Sequence, residues 1–236
     1  MPVKFYLGAK NAYMLKHFSR GMLSVSNLID RKGGFYANDW MLDSGGFNEL
    51  VKHGDYRLSV REYASHISKW KKYGNLQCAV SQDYVCFPEI RKITGKTTRE
   101  HQELTIERYS DLASYDTGVY IMPVIQGYFK EEYLEHLKMY GNMLKPSSWV
   151  GVGSLVRDSE FTEHIKAILL AIKRERPDLL LHGFGLKKRT LKDNILRSMI
   201  YSADSSAWSS YSRKSGVKSS DWKKAILYGK EIESWK

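Results

Sequence analysis

Cysteine is almost missing from this chain, with Cys78 and Cys86 the only two in 236 residues. They stand too close together for a disulfide framework and form no CxxC pair. That excludes a disulfide-stapled secreted scaffold and a cysteine-anchored zinc site, and it fits reduced thiols in a cytoplasmic protein. Proline is scarce as well, and no Pro- or Ser-rich linker divides the chain, so residues 1–236 are expected to form one domain. No apolar run is long enough to span a bilayer or to serve as a secretory segment, which argues against a membrane protein. Negative charge is in deficit: 37 Lys and Arg face 26 Asp and Glu, a formal charge of +11. The excess lies late, with 12 Lys and Arg against 5 Asp and Glu in residues 187–236. Such a surface favours a polyanionic partner, nucleic acid foremost, through counterion release. The plainer reading is a basic surface that only keeps the protein soluble.

What is present is a recurrence of short apolar runs separated by segments of helical period. The runs are VKFYLG from Val3, MLSVSNL from Met22, WMLD from Trp40, QCAVSQD from Gln77, VYIMPVIQG from Val119, WVGVGSL from Trp149, LLLHGFG from Leu179 and MIYSAD from Met199. Between them, Val60, Tyr63, Ile67 and Trp70 fall on one helical face, as do Phe161, Ile165, Ile168 and Ile172. TTREHQELTIERYSDL, KEEYLEHLKMYGNML, LKDNILRSM and SSDWKKAILYGKEI are further helices, while the link between the first two strands is weakly helical. Strands alternating with helices predict a parallel α/β fold, and eight of them predict a (β/α)8 TIM barrel. An open doubly wound sheet is the competitor. It usually carries a glycine-rich phosphate turn after its first strand, and LGAKNAYM has no GxGxxG.

In a barrel, functional groups gather where strands end. Those ends carry Asp43, Asp83, Gln126, Gly153 with Ser154, His182 and Asp204. Each alone reads equally well as a turn or capping residue, and WMLDSGGFNEL could be a strand that happens to finish in an Asp-Ser-Gly turn. Jointly they aim polar groups from six strands at one place. Three carboxylates could hold magnesium, but a glutamine and glycines fit recognition of a flat base better. A purine edge offers donors at N1 and N2 and acceptors at O6 and N7, which a carboxylate, an amide and backbone N–H groups complement. Asp83, Gln126 and the Gly153 and Ser154 amides suit that task. Asp43 and Asp204 are then free for glycosidic chemistry, in which one carboxylate traps an oxocarbenium-like sugar carbon while a second carboxyl group handles the proton.

LDSGGF, VIQG, VGVGSL, HGFG and SADSS, in that order from about Asp43 to about Asp204, resemble the signatures of the guanine transglycosylases. That family exchanges guanine for a 7-deazaguanine and comprises tRNA-guanine enzymes and DNA-modifying DpdA-type relatives. The resemblance implies that Asp204 is the nucleophile at C1′ and Asp43 the general acid and base. It implies that Asp83 and Gln126, with Gly127, Gly153 and Ser154 beside them, hold the base, and that Phe47 stacks on it. His182 falls where tRNA-acting relatives commonly carry an apolar residue against the other face of the base. An imidazole there could stack and also hydrogen-bond, the plainer reading being a structural histidine. Ser154 replaces a familiar second glycine. The tRNA enzymes usually carry a C-terminal Cys-x-Cys-x2-Cys zinc site completed by a histidine, whereas no cysteine follows Asp204. The resemblance therefore implies a small DNA enzyme of phage type, lacking the zinc-binding subdomain and needing no metal or organic cofactor.

After Asp204, SSAWSSYSRKSGVKSSDWKK interleaves Trp208, Tyr211 and Trp222 with Arg213, Lys214, Lys218, Lys223 and Lys224. Aromatics among cations suit a segment that grips phosphates and supports a flipped-out nucleotide. The plainer reading is a solvated basic helix behind a Ser-rich loop. The expected partners are DNA and a free 7-deazaguanine base, in the host cytoplasm if the protein is viral, with tRNA as the alternative polymer. A non-catalytic nucleic-acid-binding barrel and a nucleoside hydrolase are rival functions, and a homodimer is left open.

Overall fold

Residues 3–155, 162–209 and 222–235 are described by a computed structural model, and nine strands among them form one wholly parallel sheet. The strands are β1 (Lys4–Gly8), β2 (Arg20–Ser24), β3 (Asp39–Asp43), β4 (Asn75–Val80), β5 (Ile121–Met122), β6 (Val124–Ile125), β7 (Trp149–Val152), β8 (Leu180–Gly183) and β9 (Ser202–Ser205). Their order in space is β5-β4-β3-β2-β1-β9-β8-β7-β6. The two ends of that order are neighbours in the chain, separated only by Pro123, so the sheet curls into a nearly closed barrel. One strand was expected over 119–127. Pro123 divides it because proline has no N–H for the ladder, although its carbonyl still accepts from the Gly151 N–H at 2.9 Å.

The helices are α1 (Ala12–Leu15), α2 (Gly46–His53), α3 (Val60–Trp70), α4 (Pro88–Thr94), α5 (Thr98–Ser114), α6 (Lys130–Tyr140), α7 (Thr162–Glu175), α8 (Lys188–Leu191), α9 (Asn194–Met199) and α10 (Trp222–Glu233). Val60, Tyr63, Ile67 and Trp70 are buried along α3, and Ile165, Ile168 and Ile172 along α7, as their spacing predicts; Phe161 lies outside the described residues. Capping boxes start α3 at Ser59 and Glu62 and α5 at Thr97 and Glu100. LKDNILRSM forms one short helix, α9, which begins only at Asn194 because Asp193 caps it by accepting the Leu196 N–H at 2.9 Å, while Leu191 ends α8. The run from Met22 stops at Ser24, whose side chain caps a single 3-10 turn over Val25–Asn27. No helix among the described residues is long and apolar enough to cross a membrane.

Alternation along the strands separates two apolar layers. Tyr6, Met22, Met41, Cys78, Val80, Met122 and Val124 fill the barrel interior. Their strand neighbours point outward: Trp40, Leu42 and Ala79 pack with α3, and Ile125, Val150, Val152, Leu181 and Ala203 pack with α6, α7 and α10. Carried one step further, the period of two aims Asp43 inward after Met41, Gln126 after Val124, and Asp204 after Ser202.

Candidate active site

The inward positions beyond the apolar plug open into a cavity of about 570 Å³ at the C-terminal mouth, lined by Asp43, Asp83, Asp204, Gln126, Gly153, Ser154 and Phe47 among others. The apolar run of β3 places Asp43 there, and the Ser-Gly-Gly that follows has a steric reason. Gly45 turns the chain at φ 77° and caps α2, and its N–H donates to Asp43 Oδ2 at 3.1 Å. At Gly46 a Cβ would collide with the Tyr56 hydroxyl and lie 2.8 Å from the Asp83 carbonyl oxygen, so only glycine lets this turn approach Asp83. Ser44 Oγ donates to Asp83 Oδ1 at 3.4 Å and the Tyr56 hydroxyl to the Asp83 carbonyl at 2.8 Å. Phe47, in the first turn of α2, is half exposed at the rim.

A chain of hydrogen bonds orients the amide of Gln126. The Cys86 N–H donates to Ser154 Oγ at 2.9 Å, so the Ser154 hydroxyl gives its own proton to Gln126 Oε1 at 2.5 Å. Gln126 Nε2 is thereby turned to Asp83 Oδ2, to which it donates. Gly153 makes this possible, because a Cβ there would occupy the Gln126 amide. Ser154 sits at φ 54°, a left-handed conformation that costs a non-glycine residue about 1 kcal/mol or more. Its side chain is thus tied into the site, whereas only its backbone amide was expected to serve there.

Asp204 accepts the Gly185 N–H at 2.9 Å and lies 3.3 Å from His182 Nε2, both contacts falling on Oδ1. His182 itself is fully buried, does not line the cavity, and contacts Ser202 Oγ through Nδ1 at 2.8 Å. The expectation that its ring stacks on a base is therefore corrected: as an inward residue of β8 it lies one layer below the mouth, and Phe184, two residues on, lines the cavity.

Burial raises the proton affinity of two of the cavity's carboxylates, and for Asp43 the neighbouring carboxylates add to it. Asp43 is pushed up to about 7, first by burial, then by the charges of Asp83 and Asp204; hydrogen bonds from Gly45 N–H and Ser24 only partly offset this. Asp83 is pushed up to about 6 by burial, against the hydrogen bonds from Gln126 and Ser44. Asp43 near neutrality is able both to give and to take a proton.

Other expected positions are placed elsewhere. A Cβ on Gly127 would meet the ring and backbone of Tyr133, so Gly127 serves the packing of α6 and does not line the cavity. Trp208 is 1 % exposed in the core between sheet and helices, its indole N–H on the Gly8 carbonyl at 3.0 Å, and so offers no face to a nucleotide. Trp222 lies stacked on His17 with ring centroids 3.9 Å apart. Tyr211, Arg213, Lys214 and Lys218 lie outside the described residues. Sequence reasoning missed Ser24, Tyr56, Phe184 and Lys187, of which Ser24, Phe184 and Lys187 line the cavity. A strand end placed correctly at Ser24 would have found the first. Among the described residues no group of three His, Cys, Asp or Glu is arranged to hold a metal ion.

A parallel α/β barrel whose C-terminal mouth gathers an amide, backbone N–H groups and carboxylates in one cavity has the arrangement of an enzyme active site. The chain matches the family model described as DpdA, DeoxyPurine in DNA protein A, over residues 1–225. It belongs to that family, a DNA-modifying branch related to the guanine transglycosylases. No curated protein matches it in sequence.

Proposed function

We propose that this protein exchanges guanine in DNA for a 7-deazaguanine by double displacement at C1′, using no metal or organic cofactor. The barrel is read as one (β/α)8 domain without a zinc-binding subdomain, with β5 and β6 a single strand interrupted at Pro123. The observation that carries the reading is the meeting of Asp43 and Asp204 in one cavity that also holds the Asp83–Gln126 pair.

Asp83 offers acceptors to the N1–H and N2–H of guanine. With Oε1 bonded by Ser154 and one Nε2 hydrogen on Asp83, the second N–H of Gln126 suits the acceptors at O6 and N7, together with the Gly153 and Ser154 amides. Phe47 covers one face of the base. In the first half, Asp204 Oδ2 forms a bond to C1′ as the C1′–N9 bond breaks, and protonated Asp43 gives its proton to the departing guanine. In the second, the Asp43 carboxylate takes the N9 proton of the incoming base, which bonds to C1′ and expels Asp204. Two inversions retain the configuration of the sugar. The target nucleotide is flipped from the duplex at a cost of a few kcal/mol. Residues 211–218 and Lys187 supply positive charge for the strand.

The test is isotopically labelled guanine exchange into DNA, with mass spectrometry of the nucleosides from cells that express the protein. Asp204→Ala is expected to bind DNA but to form no covalent adduct. Exchange at the normal rate by that variant overturns the nucleophile assignment. Incorporation into tRNA but not DNA overturns the polymer.

A further inference from the structure

Below Asp204 runs a line of contacts that takes no part in the proposed exchange. Trp149 Nε1 donates to Ser202 Oγ at 2.8 Å, Ser202 Oγ is 2.8 Å from His182 Nδ1, and His182 Nε2 is 3.3 Å from Asp204 Oδ1. His182 and Ser202 are completely buried. The imidazole is boxed edge-on by Tyr6 at 6.2 Å, Trp149 at 6.3 Å and Phe184 at 4.7 Å, so it has no room to turn over.

The proton directions in this line follow from its first member together with the single hydroxyl proton of Ser202, which needs an acceptor in its buried setting. An indole N–H only donates. Ser202 Oγ therefore accepts from Trp149 and has one proton left to give, for which His182 Nδ1 is the acceptor in range. An imidazole that accepts at Nδ1 carries its proton on Nε2, and Nε2 faces Asp204. We infer that Trp149, Ser202 and His182 form a tautomer lock that positions Asp204. His182 is a positioning residue whose Nε2–H, together with the Gly185 N–H, holds Oδ1 and leaves Oδ2 for the sugar.

The inference rests on the reading of Asp204 as nucleophile and adds a directional consequence to it. While Oδ2 is bonded to C1′, Oδ1 is a neutral ester carbonyl. When the incoming base expels Asp204, the carboxylate charge returns and its hydrogen bonds strengthen. Two fixed donors on Oδ1 thus favour breakdown of the adduct more than its formation.

The experiment measures adduct formation and breakdown separately by rapid quench, with full-length protein, a guanine-containing duplex and labelled guanine as incoming base. His182→Phe keeps the ring packing and removes the donor. Its breakdown rate is expected to fall about 10-fold relative to its formation rate, so that adduct accumulates, with KM for labelled guanine unchanged. His182→Gln, whose side-chain amide can place an N–H near the same point, is expected to restore the wild-type ratio. A ratio unchanged in His182→Phe, including an equal loss in both steps, overturns the inference. Should that variant fail to fold, Ser202→Ala carries the same test: it keeps the imidazole, releases the tautomer and is expected to shift the ratio the same way by about 3-fold. Asp204→Asn run alongside separates the two readings. Wild-type protein that forms no adduct, or an adduct mapped to another residue, overturns the nucleophile and the lock together; a correctly mapped adduct with an unchanged ratio overturns only the lock.

Discussion

Asp43 faces opposite demands in the two halves of the proposed exchange, as an acid while guanine leaves and as a base while its replacement enters. A group pushed up to about 7 meets both only near neutral pH. Adduct formation measured by rapid quench is therefore expected to fall about tenfold per pH unit above about 7, while breakdown falls similarly below it. The same shift bears on stability. The folded state holds this proton at a pH where the unfolded chain has lost it, so stability declines as pH rises from the ordinary carboxylate range, around 4, through about 7. Asp43→Asn is expected to abolish exchange yet raise unfolding stability by about 2 kcal/mol near pH 8, a gain that disappears towards pH 4. Thermal melts at several pH values check the sign, and a variant less stable than wild type near pH 8 contradicts it. Stability given up for chemistry in this way is a familiar trade at active sites.

At the scale of elements, β7 and α5 brace Gln126 and the segment that follows Asp83. Gly153→Ala at the end of β7 would push a methyl group into the Gln126 amide; exchange is expected to fall about 100-fold or more, with far-ultraviolet circular dichroism unchanged. From α5, Gln102 donates to the carbonyls of Gln126 and Glu132, each at 2.9 Å, and Thr105 Oγ1 accepts the Tyr84 N–H at 2.9 Å. Loss of its cap in Thr97→Ala is expected to cost about 1 kcal/mol in denaturant unfolding. What the sequence made legible follows from the same elements. Period-two alternation with polar ends located Asp43, Gln126 and Asp204, since a strand's facing can be read without its partners. The α3 and α7 faces were legible because each buries a full apolar stripe. Short helices such as α2 and α4 have too few turns to show a period, and the break at Pro123 depends on barrel closure, which no local pattern encodes. His182 and Trp208 were misread because burial depth is a property of the assembled layers. A tryptophan among serines and cations looks like a surface residue until the Gly8 carbonyl is found opposite it.

Over the whole molecule, a formal charge of +11 makes attraction to DNA largely electrostatic. Binding measured by fluorescence anisotropy is expected to weaken by about 10³-fold between about 50 and 200 mM salt, and Lys187→Ala to lower the log–log slope by about one. A flat salt response would show that the cations do not meet phosphates. The barrel's closure also has a temporal side. β1 lies between β2 and β9, with Lys4 paired to Ser202 and Tyr6 to Asp204, so the strand bearing Asp204, already beside β8, finds its second neighbour almost two hundred residues upstream. Pairings this distant form late. Under the proposed exchange, a nascent polypeptide still short of β9 holds Asp43, Asp83 and Gln126 but lacks the proposed nucleophile, so the full set of groups comes together only after residues 202–205 have joined β1.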